Sequence, residues 1–176
     1  MHEGVRQSAV FEQEWDVPRI AVTGHRDLDD TTAGVIRAAF DARIAELTVE
    51  GRVVGVSCLA DGADALFAAA VLDAGGDLVA VIPAEKYRDG LPAAYRPEYD
   101  RLLGAALDVI RLDHVEVTAR AYTDAGLASL VGADELIAVW DGRPAAGSGG
   151  SADVVAQARE QGVPVTVIWP DGARRG

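Results

Sequence analysis

The stretch VVGVSCLADGADALFAAAVLDAGGDLVAVI, residues 53–82, decides the fold class. It contains two continuous runs rich in β-branched residues, Val53 to Cys58 and Leu78 to Ile82, without apolar–polar alternation, which is the pattern of strands covered on both faces. Between them Ala63, Leu66, Phe67, Ala70, Val71 and Ala74 fall at helical spacing and leave Asp64 and Asp73 off the stripe. A helix with one apolar face therefore joins two strands. Strand, helix and strand in about 30 residues make one parallel crossover unit.

The same alternation continues outward. Ile20 to Thr23 precedes this unit, and Val109 to Leu112, Leu136 to Trp140 and Val165 to Trp169 follow it, with alanine-rich stretches of helical length between them. The expectation is a three-layer α/β, Rossmann-like fold, a mostly parallel sheet of about six strands with helices on both sides. At 176 residues, 49% of them hydrophobic, the chain suits one buried core. We expect a single domain over 18–170, an arm over 1–17 and a tail over 171–176. One connection is irregular: Ala84 to Pro97, AEKYRDGLPAAYRP, is proline-punctuated and rich in charge and tyrosine. A stretch of that kind is expected to cover a site.

Charge and cysteine content narrow the function classes. A formal net charge of -12 repels phosphate backbones and anionic membranes, so neither nucleic acid nor membrane is expected as a partner. A small phosphorylated ligand stays open, because a few fixed donors set the field inside a pocket. Cys58 is the single cysteine; it leaves no internal disulfide and no metal-ligand spacing, and reads as an apolar filler at a strand end. No metal and no required cofactor are expected. With no apolar run of signal-peptide or membrane-span length, the expected location is cytoplasmic.

Ligands of open parallel sheets bind beyond the carboxyl ends of the strands. Three such ends carry chemistry here: Thr23-Gly24-His25-Arg26, then Asp61-Gly62-Ala63-Asp64, then Asp141-Gly142 followed by Gly147-Ser148-Gly149-Gly150-Ser151. The glycine-rich segment opens a helix, so its amides and the positive helix end suit a phosphate, with Ser151 as N-cap or ligand contact. Its alternative is a plain flexible connection. Arg26 suits a bidentate phosphate contact and His25 a further hydrogen bond; their alternatives are a surface pair with Asp27 or Asp29 and a loop carbonyl. Asp61 and Asp64 have helix capping as their alternative, and Trp140 and Trp169 read as packing. GHRDLD lacks the glycines of a dinucleotide fingerprint.

Three segments together, TGHRDL, SCLADGADALFA and ADELIAVWDGRPAAGSGGSADVVAQAREQGVPVTVI, resemble bacterial Rossmann-like proteins of the SLOG superfamily. That superfamily groups the DNA-processing protein A, the cytokinin-activating LOG phosphoribohydrolases and stand-alone nucleotide-binding proteins. The resemblance implies a nucleotide or nucleotide derivative, ADP-ribose-like, held around Gly24, His25, Arg26, Gly62, Gly149, Gly150 and Ser151. Thr23, Asp61, Ala63, Asp141, Gly142 and Ser148 complete the candidate set. LOG enzymes carry P-G-G-x-G-T-x-x-E, whose glutamate is catalytic in cleaving base from ribose. If Ser151 stands for the threonine, the glutamate's place falls on Val154, with Asp153 one residue early, a turn of about 100°. The expected function is binding or sensing. The alternative is an N-glycosidase of nucleoside 5′-monophosphates that uses Asp61, Glu98 or Asp153. The alanine- and leucine-rich stretch Ala119 to Val131 raises the expectation of a homodimer.

Overall fold

The computed structural model describes residues 17–144 and 149–173. Six strands, β1 (Arg19–Gly24), β2 (Val54–Ser57), β3 (Asp77–Ile82), β4 (Asp108–Arg111), β5 (Glu135–Val139) and β6 (Val165–Ile168), alternate with helices. The helices are α1 (Asp30–Leu47), α2 (Ala63–Asp73), α3 (Tyr87–Gly90), α4 (Arg96–Ala105), α5 (Ala119–Leu130) and α6 (Ser151–Glu160). All five strand pairings are parallel, in the order β4-β3-β2-β1-β5-β6. The expected α/β class, the strand number and the parallel sheet are all observed. The arm expected over 1–17 lies outside the described residues except for Val17, and so does 174–176 of the expected tail.

The order of the strands places the site. From β1 the chain steps outward through β2, β3 and β4, then returns to pair β5 on the other side of β1. Parallel crossovers are right-handed, so reversing direction sends the later helices to the opposite face. One face accordingly packs α1, α2, α3 and α4 around Phe40, Phe67, Leu78 and Tyr99; the other packs α5 and α6 around Ala125, Val155 and Ala158. The order reverses at β1, and the site lies at the carboxyl ends of β1 and β2 beside this switch.

Burial follows this layering. β5 is buried at every position, as a central strand covered on both faces must be, whereas the edge strand β4 has no buried residue. In α1 the residues Ile36, Phe40 and Ile44 lie one turn apart and face the sheet, and Asp29 caps the helix by accepting Thr32 N–H at 2.8 Å. α2 is buried on more than its stripe, because the sheet lies on one side and α1 and α4 on the other. At the end of β1, a Cβ on Gly24 would stand 2.4 Å from Ala63 Cβ and 2.8 Å from Val139 Cβ, so only glycine lets β1 end against α2. No helix among the described residues is long and apolar enough to cross a membrane.

The irregular connection takes up structure of its own. It folds into α3 and the approach to α4, with Tyr87 and Leu91 buried and the Tyr95 hydroxyl donating to the Leu59 carbonyl at 2.7 Å. It is packed against the body of the domain, and Tyr87 reaches the site described next.

Candidate functional site

A cavity of about 340 Å³ lies at the carboxyl ends of β1 and β2. Its walls come from Thr23 and Gly24 of β1, Arg26 after it, Cys58 and Ala60 after β2, Asp64 of α2, Tyr87 of α3, Tyr122, Gly126 and Ser129 of α5, and Gly149 to Ser151 with Val154 of α6. Of the candidate residues, Thr23, Gly24, Arg26, Gly149, Gly150 and Ser151 are brought together here. His25, Asp61, Gly62, Ala63, Asp141 and Gly142 are not on the wall, and Ser148 lies outside the described residues.

The two helix amino ends near the cavity differ. That of α2 is closed by backbone, with Ala63 N–H donating to the His25 carbonyl at 3.2 Å and Ala65 N–H to the Ala60 carbonyl at 3.1 Å. That of α6 borders the cavity. Its N-cap is Gly150, one residue before the expected Ser151, and the cap makes no side-chain hydrogen bond. Ser151 is instead the first helical residue, its hydroxyl accepting from Thr23 Oγ1 at 3.3 Å. The carboxylate of Asp153 turns back to accept Gly149 N–H at 2.7 Å. First-turn amides have no partner within a helix, so that of Ser151, a residue of the cavity wall, is a donor there. Gly149 must be glycine: its φ is +83°, and a Cβ would sit 2.9 Å from the Ala119 carbonyl oxygen.

Arg26 lines the same cavity with a side chain 39% exposed. It pairs with Asp61, its Nε 2.7 Å and Nη2 2.5 Å from Oδ1. Asp27 and Asp29, the partners open from sequence, are not used. Of the five guanidinium N–H groups, the two on Nη1 and the second on Nη2 are what is left for a ligand. His25 lies on the other side of the β1 end, its ring edge on Trp169 at 5.1 Å and its Nε2 accepting Asp141 N–H at 3.4 Å.

The three carboxylates weighed for catalysis lie elsewhere. Asp61 holds Arg26, Asp153 holds Gly149, and Glu98 is paired with Arg101 on α4. The carboxyl on the cavity wall is Asp64, 8% exposed. Burial pushes its pKa up to about 7, against the Ala60 amide and the Arg26 charge, with Asp61 adding to the rise. Beside it, burial pushes the Cys58 thiol up to about 12, consistent with an inert filler. From sequence Asp64 reads first as a cap, because with Asp61 it flanks a glycine at a helix start, where an acidic residue favours the helix dipole. Tyr87, also on the wall, carries no signal beyond its irregular surroundings.

No family model matches the chain, and no curated protein matches it in sequence. Solved structures match its fold. DNA processing protein A from Streptococcus pneumoniae aligns with a TM-score of 0.63 at 21% identity over 87% of this chain and 50% of its own. The Helicobacter pylori protein of the same name, solved for its single-stranded DNA binding mode, aligns with a TM-score of 0.63 at 16% identity over 88% of this chain and 67% of its own. The Moco carrier protein of Chlamydomonas reinhardtii aligns with a TM-score of 0.55 at 20% identity, over 88% of this chain and 77% of its own. The chain thus has the fold that the SLOG resemblance implies, and spans half the length of the pneumococcal protein. The exclusion of nucleic acid is overturned, since the Helicobacter protein, which shares this fold over 67% of its length, binds single-stranded DNA. The physical reason is that net charge sums over the whole surface and does not fix the field over one loop.

Proposed function

We propose that the chain binds a nucleotide or nucleotide derivative at the carboxyl ends of β1 and β2, with the phosphate between the α6 amino end and Arg26. The observation that carries this reading is the cavity itself, which places an open helix amino end and a guanidinium on one lined volume. Its size, about 340 Å³, stands at the small end of ligand pockets, which run from about 300 to 1,000 Å³, and favours one nucleoside phosphate over a dinucleotide. Titration calorimetry with inorganic phosphate, nucleoside 5′-monophosphates, ADP-ribose and a short single-stranded oligonucleotide tests it. Binding of a monophosphate that weakens in Arg26→Ala is expected. Absence of binding by every phosphate compound would end the proposal.

A second reading, hydrolysis of the N-glycosidic bond, is favoured by one observation: Asp64 puts a carboxyl on the cavity wall where Val154 supplies none. Such cleavage needs a carboxyl near a sugar that gains positive charge. Chromatography after incubation separates the two readings. Intact nucleotide means binding; free base whose release stops in Asp64→Asn means hydrolysis.

A further inference from the structure

Arg26 and Asp61 form one ion pair whose two halves line different hollows. Arg26 stands on the wall of the cavity, whereas Asp61 stands on the wall of a second groove, of about 550 Å³, lined by α1, α2 and α4. Asp61 accepts two of the guanidinium N–H groups on the single oxygen Oδ1, from Nε at 2.7 Å and from Nη2 at 2.5 Å. It therefore touches Arg26 without a place on the wall that a ligand of the cavity would meet. Backbone contacts bring the two residues together. Gly62 has a φ of +100°, and a Cβ there would stand 2.7 Å from the His25 carbonyl oxygen and 2.8 Å from the Arg26 Cα. Ala63 N–H donates to the same His25 carbonyl at 3.2 Å. The loops after β1 and β2 are thus joined without the ion pair, and joining them is not what the pair adds. It adds order at a long side chain, whose freezing otherwise weakens the binding of any ligand that must impose it. Burial lowers the Arg26 pKa, yet the hydrogen bond and charge of Asp61 leave it raised, so the contact outweighs the burial.

We infer that Asp61 is a positioning residue, which holds the Arg26 guanidinium from outside the cavity and leaves the N–H groups of Nη1 and the second of Nη2 to a phosphate. The inference rests on the phosphate site proposed above and gives that site a part beyond its own wall. Two effects of Asp61 oppose each other. Its charge repels a phosphate and offsets Arg26, which weakens binding; its hold on the guanidinium strengthens binding. Salt screens the repulsion over a Debye length of about 8 Å at 0.15 M and leaves the ordering untouched. Positioning is therefore the effect that remains at physiological salt.

The test is calorimetric titration with adenosine 5′-monophosphate and with inorganic phosphate at about 0.15 M salt, beside ligand-free melts. It compares wild type, Asp61→Ala, Asp61→Asn, Arg26→Ala and the double variant that carries both alanines. Asp61→Ala should weaken both ligands by about three- to tenfold, the cost of ordering one long side chain. Asp61→Asn keeps an oxygen for the two N–H groups and should recover part of that loss. In the Arg26→Ala background, removing Asp61 should no longer lower affinity, since no guanidinium is left to hold. A fall in that background makes Asp61 merely structural and overturns the inference. Affinity at or above wild type in Asp61→Ala also overturns it, by showing that Asp61 acts only as a counter-charge, while the phosphate site stands. Should Asp61→Ala melt below the assay temperature, Asp61→Asn decides by the same criterion. If wild type binds neither probe, the phosphate site and its positioning residue fall together.

Discussion

Asp64, in the first turn of α2, has a carboxyl that solvent barely reaches, and its pKa of about 7, from an ordinary 3.8, makes it a stability probe. Below both values the folded and unfolded chains each carry the proton, and Asp64 contributes nothing. As pH rises from about 4 to 7 the unfolded chain ionises first, so folding loses stability, up to on the order of 4 kcal/mol above pH 7. Asp64→Asn removes that loss and keeps an oxygen for the Ala60 amide. Urea midpoints should therefore show the variant gaining on wild type between about pH 4.5 and pH 8; a difference that stays flat with pH would mean that Asp64 ionises freely. Arg26 lowers the Asp64 pKa and shares the cavity wall with the α6 end, so Arg26→Ala acts at both places. Affinity for a nucleoside monophosphate should fall by roughly ten- to hundredfold, the worth of one charge-assisted contact. The side chain is too exposed for its loss to collapse the fold. Calorimetry beside a ligand-free melt checks both points, and a collapsed melt would make Arg26 structural. At this scale the sequence was half legible: Arg26 and the glycines advertise an anion through residue type alone, whereas the burial of Asp64 depends on elements distant in the chain.

The elements around the site differ in how their glycines are constrained. Gly149 has a φ of +83° and no room for a Cβ against the Ala119 carbonyl, so Gly149→Ala both strains the backbone and pushes the α6 start away from α5. A cost of about 2 to 4 kcal/mol is expected from left-handed strain plus overpacking, together with weaker phosphate binding. Gly34, exposed within α1 and with nothing within 4 Å of the place a Cβ would take, gives the opposite sign. Gly34→Ala should stabilise by about 0.5 to 1 kcal/mol through helix propensity, without touching affinity. Denaturant melts of the two variants decide it; equal effects would mean that backbone freedom alone, not the α5–α6 approach, matters at Gly149. All six strands could be read from sequence: the central ones because strands covered on both faces must be continuous apolar runs, and the edge strands β4 and β6, which have no buried residue, from their β-branched residues. The single turn of α3 could not, since four residues have no period, and Tyr87 was hidden with it.

Across the whole molecule, 28 acidic side chains face 16 basic ones. That total was legible in the sequence; its distribution was not, which is why charge misjudged nucleic acid. Many of the cations are already paired on the surface, Arg37 with Asp41 and Asp73, Arg88 with Asp100, and Arg101 with Glu98. Exposed pairs of this kind contribute only about 0.2 to 1 kcal/mol each, and the excess carboxylates repel one another with few cations left between them. Salt weakens both effects, and with a net charge of -12 the relief of repulsion is the larger. Raising sodium chloride from about 20 mM to about 0.5 M should therefore raise the ligand-free melting temperature by a few degrees. The proposed site responds with the other sign. A phosphate held by Arg26 and the α6 amino end binds through fields that the same salt screens, so its affinity should fall severalfold over that range. Melts and calorimetry on one preparation read the two trends together. A melting temperature that falls with salt would show that the surface pairs outweigh the repulsion. An affinity indifferent to salt would show that the cavity holds its ligand through contacts other than phosphate.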